Sequence, residues 1–132
     1  MGLATFIGGI HPYEGKELSE DKPIQFIVPE KGEEMVYPLS QHIGAPAKPL
    51  VAKGDQVLKG QIIAEAGGFI SANVLSSVSG TVKGIEPRLV ANGAMVQSII
   101  VENDGEENAI EGFGNARDYT KLSKEEIRNI IK

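Results

Sequence analysis

The residues whose types could do chemistry in this 132-residue chain are two histidines, three clustered serines and a late run of carboxylates. His11 precedes Pro12, and His42 lies between Pro38 and Pro46, so each sits in a loop. A zinc site wants more ligands at closer spacing, such as H-x-x-x-H, and neither histidine has them nearby. Both read as groups that fix a loop by hydrogen bonds. A metal-binding or hydrolytic pairing of His11 with His42 in space is the weaker alternative. Ser76, Ser77 and Ser79 surround a turn without a G-x-S-x-G elbow. Short polar side chains there are what turn geometry selects. Glu102, Asp104, Glu106, Glu107 and Glu111 come with no base among them and read as a solvated linker. A carboxylate acting as acid or base near neutral pH would need burial to raise its pKa. With no constellation of nucleophile, base and stabiliser, we expect no catalytic, cofactor-binding or metal residue here, and no independent enzyme.

The totals agree with that reading. The chain has no cysteine. Disulfides, thiolate zinc sites, iron–sulfur ligation and cysteine nucleophiles are therefore excluded for these residues. Net charge is −5 and the pI about 5.0, and no stripe of Lys and Arg is present, which argues against a nucleic-acid surface. Hydrophobic residues make up 41% and charged residues 23%, the balance of an ordinary folded domain rather than a disordered one. No apolar run approaches the roughly 20 residues that span a bilayer. The opening Met1-Gly2-Leu3-Ala4-Thr5-Phe6 lacks the charged lead-in of a signal peptide.

The elements that must hold these residues are short strands. One phrase occurs twice: Leu50-Val51-Ala52-Lys53-Gly54 returns as Leu89-Val90-Ala91-Asn92-Gly93. Each copy runs on into a β-rich stretch, Ile62–Glu65 and Ile99–Glu102. Two copies are too few for a solenoid and suggest a small sandwich of two strand–turn–strand units with pseudo-two-fold symmetry. Before it, Gly8-Gly9 permits a bend in an extended arm, and no G-x-G-x-x-G pattern makes it a phosphate loop. Ile24–Val28 and Glu34–Leu39 read as a hairpin closed by Pro29-Glu30-Lys31-Gly32, with Pro38 at a sheet edge or strand end. Phe69–Leu75 reads as a strand leaving the Gly67-Gly68 reversal. Phe69 and Ile70, large and apolar, are expected in the core, and exposed at the glycine hairpin tip they would instead be a candidate contact.

At the other end, Ser123-Lys124-Glu125-Glu126 is a capping box. The helix it starts carries Ile127, Ile130 and Ile131 on one stripe. It reaches Lys132 with no C-cap glycine, so we expect the polypeptide to continue. The expected organisation is mainly β: an arm and hairpin over 1–38, a sandwich core over 39–104, and an acidic linker with the start of a helix over 105–132.

Two resemblances sharpen this. Gly54-Asp55-x-Val57-x-x-Gly60-Gln61-x-Ile63-x-Glu65, followed by Ser79-Gly80-Thr81-Val82 and the second Gly93 turn, resembles biotinyl and lipoyl carrier domains. That resemblance implies the barrel-sandwich hybrid fold. Those carriers bear their cofactor on a lysine of the hairpin after the Glu. Here that hairpin reads Ala66-Gly67-Gly68-Phe69, so a carrier function is disfavoured. A second resemblance covers nearly the whole chain. Phe6-Ile7-Gly8-Gly9-Ile10-His11-Pro12, Pro38-Leu39-Ser40-Gln41-His42-Ile43-Gly44-Ala45-Pro46 and Ser76-Ser77-Val78-Ser79-Gly80-Thr81-Val82 look like the N-terminal part of the C subunit of the Rnf electron-transport complex. The A subunit of sodium-pumping NADH:quinone reductase is similar.

The Rnf resemblance implies a membrane-peripheral subunit on the cytoplasmic side of the bacterial cell membrane. Its complex would couple electron flow between NADH and ferredoxin to ion movement. The resemblance also implies FMN, NADH and 4Fe-4S clusters, all carried by polypeptide downstream of the helix near Ser123. These residues would then be a non-catalytic scaffold or docking domain. Its implied partners are its own redox domain and other subunits of the complex.

Overall fold

Branched residues fill the segments that become strands, as a pleated, half-buried surface favours. The computed structural model describes residues 12–132. The expected Gly8-Gly9 bend and His11 lie outside the described residues. In chain order the strands are β1 (Glu34–Pro38), β2 (Lys48–Pro49), β3 (Gln56–Val57), β4 (Ile62–Glu65), β5 (Val74–Leu75), β6 (Gly80–Leu89) and β7 (Met95–Asn103). Single 3₁₀ turns occur at Lys16–Leu18 and Tyr119–Lys121, and helix α1 spans Lys124–Ile131.

The strands form two antiparallel sheets, one in the order β1-β7-β6-β3 and the other β2-β4-β5. Together they wrap one core. Tyr37 and Leu39, Val57, Ile63 and Ala64, Val74, Val78, Val82, and Ile99 and Val101 share a single cluster. Strand β7 shows the period of two that selects faces. Ile99 and Val101 point into the core, while Ile100 is buried on the opposite face beside Glu34, Lys83 and Glu86. A register shift between Val82 and Gly84 bends β6 against β7, the effect of a β-bulge.

Four expectations are corrected here. The returning strand Glu34–Pro38 forms, but Ile24–Val28 has no ladder. Ile24, Phe26 and Ile27 are more than nine-tenths exposed. The cause is the turn that should have closed the hairpin. The Asn103 amide donates to the carbonyls of Pro29 and Glu30, and Asn103 exchanges main-chain bonds with Gly32 and Glu33. That anchors the turn to the end of β7, and β1 pairs with β7 as an edge strand ending at Pro38.

The repeated phrase does not make two equivalent units. Both copies turn at a glycine with positive φ, 97° at Gly54 and 83° at Gly93. The first copy crosses between sheets, from β2 to β3, and its turn bonds to Val82 of β6. The second closes the β6–β7 hairpin. Val51 accordingly packs on the core, whereas Val90 lines a surface cavity with Pro38 and His42.

The strand expected over Phe69–Leu75 is reduced to Val74–Leu75, with an irregular loop before it. The acidic stretch is solvated, as expected of such a run, yet its backbone is not a free linker. Asp104 bonds to Ser79, and Asn108 to Ile110 run alongside Lys59 in a parallel bridge. Helix α1 has the expected cap: Ser123 Oγ accepts from the Glu126 N–H, and the Glu126 carboxylate accepts from the Ser123 N–H.

Candidate functional site

The serines and His42 turn out to hold loops. The Tyr37 hydroxyl, at the core edge of β1, accepts the Ser77 N–H at 3.0 Å and shares a hydrogen bond of 2.9 Å with Ser77 Oγ. Ser76 Oγ donates to the Val78 carbonyl at 2.7 Å. Ser79 Oγ donates to Asp104 Oδ1 at 2.7 Å and accepts the Asn108 N–H at 3.0 Å. Asp104 Oδ1 also accepts the Glu106 N–H. The Ser79 hydroxyl first, and that amide second, hold the Asp104 carboxyl below its usual range. Among the described residues none of these serines bonds to a histidine, and each has a structural partner.

His42 Nε2 accepts the Ala72 N–H at 3.0 Å. That bond places the imidazole proton on Nδ1, which is buried and has no partner among the described residues. The ring lies between cavities of about 440 Å³ and 560 Å³, with Gln41 lining both. Its lone pair at Nε2 is committed to the backbone, so that nitrogen is not free for a metal. Among the described residues no three His, Cys, Asp or Glu side chains converge. The pairing of His42 with His11 involves a position outside the described residues.

What His42 does is join two loops. The first, Ser40–Ala47, lies against the second, Ala66–Asn73. Besides the His42 bond, the Ala45 N–H donates to the Ile70 carbonyl at 3.1 Å. Ser71 Oγ donates to the Ala45 carbonyl at 2.8 Å and accepts the Gly67 N–H at 2.9 Å. Asn73 Oδ1 accepts the Ala66 N–H at 2.8 Å. Two glycines permit this approach. A Cβ at Gly67 would run into the Pro46 carbonyl oxygen, and one at Gly44 into the Ile70 carbonyl oxygen. Gly44 also has φ of 131°, a region that L side chains avoid.

The braced pair of loops carries large apolar side chains outward. Phe69 is 95% exposed, Ile43 93% and Ile70 64%. The expectation that Phe69 and Ile70 are core is therefore wrong. The loop's hydrogen-bond needs decide the matter: with Ile70 bonded through its carbonyl and Ala72 through its N–H, both side chains are turned out. Nothing in the sequence around Ile43 marks it out. The only sequence signal is glycine at both 44 and 67–68, and that has no meaning until the two loops are seen together.

Fold and site thus define a small two-sheet β-module of the barrel-sandwich type, with a braced apolar knob between β4 and β5. The RnfC barrel sandwich hybrid domain model matches residues 4–106, and the chain belongs to that family. It is 40% identical over 131 residues to the C subunit of the proton-translocating ferredoxin:NAD(+) oxidoreductase complex of Clostridium ljungdahlii, covering 98% of this chain and 28% of that protein. It is 46% identical over 101 residues to the C subunit of the Na(+)-translocating ferredoxin:NAD(+) oxidoreductase complex of Acetobacterium woodii, covering 76% of this chain and 22% of that protein. The C subunit of the ion-translocating oxidoreductase complex of Vibrio cholerae is 36% identical over 132 residues, covering 98% of this chain and 17% of that protein. The chain therefore spans less than a third of the length of these relatives. No helix among the described residues is long and apolar enough to cross a membrane.

Proposed function

We propose that this chain is the non-catalytic docking module of a C subunit in an ion-translocating ferredoxin:NAD+ oxidoreductase complex. It would sit peripherally on the cytoplasmic side of the membrane. The observation that carries the reading is the braced knob of Ile43, Phe69 and Ile70 on a domain of this family. Rigid loops lose little entropy when a partner covers them, so their apolar surface is available for binding. Flavin, NADH and iron–sulfur chemistry would then belong to the larger share of the polypeptide that the relatives possess and these residues do not match. Ser71, Asn73 and His42 Nε2 are spent on bracing loops, which fits a part that positions others.

The test is spectroscopic. The 132-residue chain, purified alone and mixed with FMN or NADH, should show neither bound flavin absorbance nor quenched NADH fluorescence. Deleting the module from the full-length subunit should reduce the amount of that subunit recovered with the membrane complex. Stoichiometric flavin or NADH on the isolated chain would defeat the proposal.

A further inference from the structure

The knob has a neighbour that suggests what covers it. Helix α1 returns to the same end of the domain. The Asn73 N–H donates to the Lys132 carbonyl at 2.6 Å. A cavity of about 480 Å³ is lined by Phe69, Ser71 and Ala72 on one side and by Arg128, Ile131 and Lys132 of the helix end on the other. Ile131 is 78% exposed, so it extends the apolar surface of Phe69 and Ile70. Polypeptide joined at Lys132 would set out from beside Phe69.

Tethering separates the possible occupants. An exposed aromatic can bury about 150–250 Å² and each Ile somewhat less, so the patch offers a few side chains' worth of apolar surface. A second copy or a free protein would have to offset the full loss of translational and rotational freedom, about 4–15 kcal/mol, from that surface. The patch is large enough for a contact within one chain, where a short tether supplies an effective concentration in the millimolar range.

We infer that Phe69, Ile70 and Ile131 seat in an apolar recess of the same polypeptide, in the part that follows Lys132 in a protein of the relatives' length. The inference rests on the reading of this chain as a module of such a protein. The knob fixes the angle at which the following domain leaves.

The experiment places p-benzoylphenylalanine at position 69 in the full-length subunit within its complex, followed by irradiation and peptide mapping. The expected product is an intrachain crosslink to a residue beyond position 132. A crosslink to a second copy or to another subunit, or no crosslink at all, would overturn the inference. A companion variant, Phe69→Ser with Ile70→Ser, should leave the melting temperature of the 132-residue chain unchanged, because both side chains are exposed in it. In the full-length subunit it should speed proteolytic cleavage near Lys132 at least tenfold. An unchanged cleavage rate there, with ferredoxin-dependent NAD+ reduction intact, would sink the contact and leave the module reading standing. A cell that makes no polypeptide longer than these residues would sink both.

Discussion

A hydroxyl and a carboxylate 25 residues apart in sequence settle where the acidic stretch lies. Ser79 Oγ gives its proton to Asp104 Oδ1, and Asp104 in turn collects the Glu106 N–H. The bonds favour the ionised carboxyl, which is why its pKa falls from the ordinary 3.8. The sign of the linkage follows. A group whose folded pKa is depressed contributes stability that is fully present above its unfolded value. That stability is lost as pH falls from about 3.8 through the lower folded value. Asp104→Asn should therefore flatten the acid limb of a stability-against-pH curve measured by urea unfolding, below the normal carboxylate range, and leave its slope near neutrality alone. An identical acid limb in the variant would show that the pair has no energetic role. From sequence, Asp104 was one acid in a run of five, and nothing local distinguished it. The serines were better placed: short hydroxyls around a turn are legible as turn formers, although the Tyr37 hydroxyl that gathers Ser77 is a distant partner.

Among the elements, the strap from Asn103 to Phe113 contributes more than its lack of regular structure suggests. Its backbone bonds to Lys59 on both sides, through the Asn108 carbonyl and the Ile110 N–H. Lys59 Nζ meets Glu107 at 2.7 Å and lies 5.8 Å from the centre of the Phe113 ring. Beneath the strap sits Gly60, with φ of 83°, where a Cβ would come within 2.5 Å of Phe113 Cδ2. Gly60→Ala should cost about 1–3 kcal/mol, from left-handed strain and the displaced ring together. Hydrogen exchange should report it as faster exchange of the Ile110 and Lys59 amides. Gly84→Ala, where a Cβ meets nothing within 4 Å, is the matched control and should stay within about 0.5 kcal/mol. Equal effects from the two substitutions would mean the strap does not bear on Gly60.

Elements with a complete local code were the legible ones. The α1 capping box lies within four consecutive residues, and β7 carries its own alternation. Ile24–Val28 has strong β character and still forms no ladder, because Asn103 takes the turn that would have folded it back. Strand propensity describes a fit to a surface, and here no surface is offered.

Taken whole, the molecule depends on each sheet to complete the other. The sheet β2-β4-β5 has strands of two, four and two residues. A sheet that small is not stable in water without a second layer. Its buried residues, Ile63, Ala64 and Val74, belong to the same cluster as Ile99 and Val101 of the longer sheet. The fold class was legible because the glycine-turn phrase and the strands around it mark such a sandwich. The symmetry was not, because identical phrases met different neighbours: Val82 for the first copy, the hairpin partner for the second. One shared core predicts one unfolding event. Ile63→Ala, in the small sheet, should lower stability by about 2–5 kcal/mol as a fully buried deletion does. It should speed exchange of the slowest amides in β4 and in β7 by the same factor, since neither sheet can open alone. Ile99→Ala in the large sheet should give the same pattern. If Ile63→Ala instead released β4 and β5 while β6 and β7 kept their protection, the small sheet would be a separate, weaker layer. The knob of Phe69 and Ile70, which hangs between β4 and β5, would then rest on a support that opens, and its rigidity would have to come from a partner.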